Sequence, residues 1–387
     1  MELSDLPLEA ELADIAERAE PGRTAQLAVR HWGWDGRGGA TLEVTGREVG
    51  RITRERVRQL CERLGVRLAA AHAAAPALER ALVLAAHTAP TTASDLARRL
   101  ADERISERPF DPAGLLTAAV VLGREPTFSL ETVKDVRVVL PDPPDPASDT
   151  VAVIVAVVDT ARAIVRRAGA ARVSEVTGRV AADFAVWVDD PLVTAVLSEP
   201  ADFVWLERRT GWFFLPSVAK NAVASRVAKV LSVSGSVRLP DLHAGIRRDE
   251  RMREFVMPEY ILGELCERLP GVRVDDDVVS AEHPQAPDEV LERTELTLLR
   301  ALVDAGGRAS RHELETACLA AGMKLASFNN RIAYSPIITD LGHGTYGLRG
   351  LPDDDAAARW GDQHGQESED GVPRPGDLAT FRTPRRR

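Results

Sequence analysis

The sequence predicts a mainly α fold decorated with small β-hairpins, and three observations carry that expectation. Apolar residues recur at helical spacing through most of the 387 residues. They are chiefly Ala, Val and Leu, with only 5% aromatic residues in a chain that is 44% hydrophobic and 28% charged, the proportions of a folded globular protein. A loose repeat of roughly 65 to 75 residues also returns after Pro76, each copy ending in β-branched or aromatic residues about a turn. A chain this long does not fit one ordinary core, so several domains are expected.

Residues 1–75 are expected to form a helical N-terminal domain. MELSDLPLEAELADIAERAE reads as an acidic amphipathic helix, Pro21-Gly22 breaks it, and a short second helix covers Thr24 to Arg30. HWGWDGRGG (residues 31–39) is a loop whose two tryptophans are expected to pack on the domain rather than to bind a ligand. From Thr41 to Leu68 the pattern is strongly helical.

The four copies of the repeat span 76–140, 150–218, 219–285 and 290–351. In each, an apolar helix, a short polar turn, a second helix and a third helix precede a hairpin, which is the order of a winged helix, so tandem winged-helix-like domains are expected. FVWLERRTGWFFL in the second copy is such a hairpin, with its turn at Arg209 to Gly211 and with Trp205, Trp212, Phe213 and Phe214 packed on the preceding helices. Lys220 and Asn221, which follow it, are placed to begin the next helix as a cap or a phosphate contact. PDPPDPASD (141–149) reads as a stiff linker, and the polar, aperiodic stretch 352–387 as a disordered tail.

Composition narrows the function. Cys61, Cys266 and Cys318 form no CxxC or Cys/His cluster, so neither a disulfide framework nor a metal site is expected, and a reducing cytoplasm fits. The first residues lack a secretory pattern and the longest apolar run, Val151 to Val158, is too short to span a bilayer, so no membrane contact is expected. A net charge of −10 argues against coating nucleic acid by bulk attraction. Any contact with DNA must be local. Lysine occurs only at Lys134, Lys220, Lys229 and Lys324, so basic charge is almost all arginine.

TLEVTGREVGRITRERVRQLCERL, Thr41 to Leu64, has the layout of a helix-turn-helix. Leu42, Val44 and Val49 make one apolar stripe and Gly50 is expected to permit the turn. Thr53 caps the next helix, and Val57, Leu60 and Leu64 bury its inner face. Arg54, Glu55, Arg58 and Gln59 then share one side of the first helical turns, where such a helix meets base edges: Arg pairs with guanine, Gln with adenine, and Glu accepts from cytosine. Arg51, Arg56 and Arg63 are left for phosphate.

These residues closely resemble the helix-turn-helix of region 4 in sigma-70-family RNA polymerase sigma factors, whose pattern is approximately TLEEIGxxxGVTRERVRQIE. TRERVRQ, Thr53 to Gln59, matches without a gap. The resemblance implies recognition of a −35-type promoter element by the second helix, with Arg54, Glu55, Arg58 and Gln59 at the base-reading positions. Two departures stand out: Thr45 where the family is apolar, and one extra turn residue at Arg51 or Ile52. No aromatic-rich segment for melting a −10 element is present, so a regulator with a sigma-like reader is expected rather than a working sigma factor.

The closing module, GMKLASFNNRIAYSPIITDLGHGTYGLRG, resembles the C-terminal part of uncharacterised bacterial proteins that begin with a sigma-region-4-like domain. There Lys324, Ser327, Asn329, Asn330 and Arg331 lie on a short helix as secondary nucleic-acid contacts, and Gly342 to Gly344 form a wing. No GxxxxGK[ST], HExxH or GxSxG is present, and no cofactor or catalytic residue is expected. The first reading is therefore a protein that binds double-stranded DNA in bacterial transcription. The second is an interaction scaffold whose repeats dock on RNA polymerase or another partner.

Overall fold

The computed structural model describes residues 6–143, 150–184, 188–249, 252 and 256–351. The tail at 352–387 and most of the expected linker lie outside them. Helices dominate, accompanied by small antiparallel sheets of three strands. The chain divides into two compact units between Ala219 and Lys220.

The first unit opens with α1 (Leu8–Ala19), α2 (Arg23–Trp32), α3 (Leu42–Val49) and α4 (Arg54–Ala71). Leu8, Leu12, Ile15 and Ala16 recur on one face of α1 and are buried. Gly33 ends α2 in the left-handed conformation, and the loop that follows packs Trp34 completely out of solvent, its ring 4.8 Å from that of Trp32. Both tryptophans are core residues, as the sequence suggests.

Next come α5 (Pro76–Thr88), β1 (Thr91–Thr92), α6 (Ala93–Asp102), α7 (Pro112–Val121), β2 (Phe128–Val133) and β3 (Val136–Pro141). The boundary expected at residue 75 does not separate two cores, because one apolar cluster runs from Leu8 through Leu64, Leu78 and Phe110 to Val139. The reason is α7: its sequence PAGLLTAAVV has no charged residue, and it buries Leu115, Ala118 and Ala119. A Cβ on Gly114 would lie 2.3 Å from the Gly33 carbonyl oxygen, so the α7 backbone sits directly on the glycine loop.

Glu11 ties the same two segments together. It is fully buried on α1, and its carboxylate accepts from the backbone N–H groups of Ala77 and Leu78 at 2.9 and 3.0 Å, capping α5 where Ala75 offers no side-chain oxygen. Burial raises its carboxyl above the ordinary range despite those two donors. Glu11→Ala strands both N–H groups and leaves a void, so urea denaturation should show a loss of about 2–4 kcal/mol from this unit. A loss below about 0.5 kcal/mol would contradict the capping role.

The remainder of the unit is α8 (Thr150–Ala168), β4 (Ala171–Arg172), α9 (Val173–Phe184), α10 (Asp190–Ser198), β5 (Val204–Glu207) and β6 (Trp212–Phe214). Trp212, Phe213 and Phe214 are buried, Trp205 is partly buried, and Phe203 stacks on Phe213 with ring centroids 5.1 Å apart. These aromatics form a hairpin core, leaving no stack of open rings for bases.

The second unit contains α11 (Ala222–Ser234), β7 (Ser236–Arg238), α12 (Leu239–Arg248), α13 (Glu259–Arg268), β8 (Val272–Asp275) and β9 (Val278–Ala281). It continues with α14 (Pro287–Val290), α15 (Arg293–Asp304), β10 (Arg308–Ser310), α16 (Arg311–Ala320), α17 (Leu325–Tyr334), β11 (Ile338–Gly342) and β12 (Thr345–Leu348). Asn221 caps α11, its side-chain oxygen accepting from Val223 and Ala224 N–H.

All four blocks share one sheet topology: the strand between the first and second helices pairs with the last strand of the hairpin, giving the orders β1-β3-β2, β4-β6-β5, β7-β9-β8 and β10-β12-β11. The expected polar turn is thus a short strand. Its backbone groups find partners on the open hairpin edge, and Ala171, Val237 or Ala309 points inward.

A charged cluster joins the two blocks of the second unit. Glu295 on α15 is 1% exposed, and Lys229 of α11 reaches it at 2.7 Å, Arg331 of α17 at 3.6 Å and the Ser335 hydroxyl at 3.2 Å. Arg349 is buried without a carboxylate. It donates to the carbonyl oxygens of Pro336, Asp241 and Ile338, and burial beside Arg248 lowers its pKa to about 10.

Candidate nucleic-acid interface

Two threonines start the helices of the candidate motif. Thr41 Oγ1 accepts from Val44 N–H at 3.3 Å, and Thr53 Oγ1 accepts from Arg56 N–H at 3.4 Å. Val57, Cys61, Leu64 and Leu68 then recur along the buried face of α4, which leaves its opposite face to solvent. Leu42, Val44, Val49 and Leu60 are half-buried, whereas Thr45 is wholly buried with its hydroxyl unpartnered among the described residues. Thr45 therefore fills an apolar position by shape.

The turn is built differently from the sequence expectation. Gly50 has φ −164°, outside the left-handed region, and it is Arg51 that takes the left-handed conformation, at φ 50°. The chain doubles back so that Ile52 N–H donates to Gly46 O at 3.1 Å. A Cβ on Gly46 would stand 2.5 Å from Ile52 O and 3.2 Å from Val57 Cγ2, so Gly46 is the residue on which the joint depends.

Arg51, Thr53, Arg54, Glu55, Arg56, Arg58, Gln59 and Arg63 are all exposed. Arg51, Arg54, Arg56 and Arg63 form no ion pair with any described residue. Arg58 differs: its Nε and Nη2 donate to the two carboxylate oxygens of Glu55 at 3.0 and 2.6 Å, and Nη1 donates to Glu62 at 2.5 Å. Gln59 Nε2 also donates to Glu55, at 3.0 Å. Hydrogen bonds from Arg58 and Gln59 hold the Glu55 carboxyl down at about 2, so it is ionised at any ordinary pH.

One cation of this surface is not apparent in the sequence. Arg23, at the start of α2, lays its guanidinium over the turn, where a Cβ on Gly50 would stand 2.0 Å from Nη2. It is exposed and has no ion pair among the described residues. No periodicity or spacing links position 23 to position 50, so only the packing of α2 beside α3 reveals it.

Positive charge on helices is concentrated here. α4 carries Arg54, Arg56, Arg58, Arg63 and Arg67 against Glu55 and Glu62. The third helices of the four blocks are poorer: α7 has no charge, α10 has only Asp190, and α13 has one arginine, Arg268, among three glutamates. α17 has only Arg331.

On α17, Lys324 and Asn330 are exposed and Ser327 is half-exposed. Asn329 accepts from Arg311 Nη2 at 2.6 Å. Arg331 is turned into the Glu292–Glu295 cluster and also donates to Thr294 Oγ1 at 2.9 Å. The five expected contacts therefore do not form one free face: Arg331 serves the fold and Asn329 is tied to a neighbour.

Burial pushes the Cys61 thiol up to about 11 and that of Cys266 up to about 12, so neither is a thiolate at neutral pH. Among the described residues no group of three His, Cys, Asp or Glu side chains is placed to hold a metal ion. No single described helix is long and apolar enough to cross a membrane. No protein-family model matches the chain, and no curated protein is similar to it.

Proposed function

We propose that this chain binds double-stranded DNA sequence-specifically in bacterial transcription initiation or its regulation, with α4 as the reading helix of a sigma region 4-like helix-turn-helix. The observation that carries this reading is the outer face of α4: Arg54, Glu55, Arg58 and Gln59 stand exposed at its N-terminal end, flanked by Arg51, Arg56 and Arg63, which have no ion pair among the described residues. On a chain of net charge −10 this is where duplex phosphate meets positive charge, while the four central side chains supply donors and an acceptor for base edges.

We read the four blocks as winged-helix repeats, with cytoplasmic residence following from a role on DNA. The scarcity of arginine on α7, α10 and α13 favours them as supports or docking surfaces, with RNA polymerase as the partner a sigma-like reader would meet.

Selection from a random duplex library at physiological salt tests the DNA reading. The wild type should enrich one motif, and Arg54→Ala/Arg58→Ala should bind that motif at least about thirtyfold more weakly, since each bidentate base contact is worth about 1–3 kcal/mol. No enrichment by the wild type would end this reading and turn attention to protein partners.

A further inference from the structure

We propose that Glu62 is a positioning residue that makes the reading face selective, by holding Arg58 aligned for a base and withholding it from phosphate. The inference rests on the DNA-binding reading of α4 and concerns a residue of that helix to which the reading assigns no base or phosphate contact.

Arg58 lies between two carboxylates, one helical turn to either side. Glu55 takes Nε and Nη2 in a two-pronged contact at 3.0 and 2.6 Å, and Glu62 takes Nη1 at 2.5 Å. The guanidinium plane is therefore fixed from both ends in the free protein. Pre-alignment of this kind lowers the ordering cost of a bidentate contact, because the side chain is already in one rotamer.

Charge gives the second consequence. Glu55, Arg58 and Glu62 together sum to −1, set among Arg51, Arg54, Arg56 and Arg63, which have no ion pairs among the described residues. The rim of the face attracts phosphate and its centre repels it. A duplex held only by its backbone gains from the rim and loses at the centre. A duplex that offers a cytosine amino group to Glu55 and a guanine edge to the remaining Arg58 donors regains that loss. Glu62 thus restrains sequence-independent binding, while Glu55 is left able to exchange its partner for a base.

Glu62 is exposed, and Gln keeps its shape, so Glu62→Gln should leave the helical circular-dichroism spectrum unchanged. The experiment measures affinity of the full chain for a duplex carrying the motif selected by wild type and for a scrambled duplex, across a salt series. Wild type, Glu62→Gln and Glu62→Asp are compared. Glu62→Gln should bind the scrambled duplex about threefold or more tightly, as removal of a unit charge within a Debye length of phosphate predicts. The slope of log K against log salt should steepen by about one, for one released counterion more. Preference for the motif should fall accordingly, and Glu62→Asp should keep the wild-type slope.

A wild type that prefers its motif, with an unchanged preference and slope in Glu62→Gln, would overturn this inference and leave the DNA reading standing. A wild type with no preferred motif would overturn both.

Discussion

Gly46→Ala is expected to destabilise the first unit by about 1–3 kcal/mol and to weaken duplex binding beyond what that loss explains. The added Cβ would sit 2.5 Å from the Ile52 carbonyl oxygen, a backbone atom that cannot swing aside, and 3.2 Å from Val57 Cγ2. Relief requires opening the turn, which breaks the Ile52 N–H to Gly46 O bond and re-aims the start of α4. Gly50→Ala is the contrast. The atoms nearest its Cβ belong to the Arg23 guanidinium, the far end of a flexible side chain, and its φ lies outside the left-handed region, so it should cost less, under about 1 kcal/mol. Urea denaturation and duplex titration of both variants check this. Equal costs at the two glycines would mean that the joint is not built as described.

Glu295→Ala should have the larger effect on stability, about 3–5 kcal/mol in the second unit. The side chain is 1% exposed, and its removal leaves Lys229, whose own side chain is 15% exposed, without its nearest counter-charge. The same change removes the acceptor of Ser335 and the return bond to the Glu292 N–H that closes the capping box of α15. Glu292→Ala, on a side chain 61% exposed, should cost about 1 kcal/mol or less. Hydrogen exchange across 293–334 in the full chain separates the two: opening should accelerate strongly in the first variant and slightly in the second. Similar protection in both would show that the cluster does not anchor α15.

Local signals were the readable ones. Thr53 before an amphipathic run announced the cap of α4, and β-branched or aromatic residues about a turn announced each hairpin. The strands β1, β4, β7 and β10 were illegible because two or three residues carry no period, and they exist only by pairing with a hairpin more than thirty residues later. Glu11 gave no hint of capping a helix 66 residues away.

Gly50 misled because glycine in a turn usually marks positive φ, whereas here the close approach falls on Gly46 and the left-handed residue is Arg51. Arg331 misled for a different reason: residue type shows that a guanidinium wants an anion, not whether that anion is phosphate or Glu292 and Glu295. For α4 the sequence named its exposed face, yet the internal pairing of Arg58 needed the side chains in place.

The continuous core from Leu8 to Val139 has a bearing on how the chain can be divided. The four blocks share one strand order, but the first also shares its core with the segment before it, because the α7 backbone lies against the glycine loop behind α2. It cannot be deleted or exchanged for another block without opening the core on which α4 packs. A cut that preserves this core has to fall after Val139, which keeps α4 and the first block together on one folding piece.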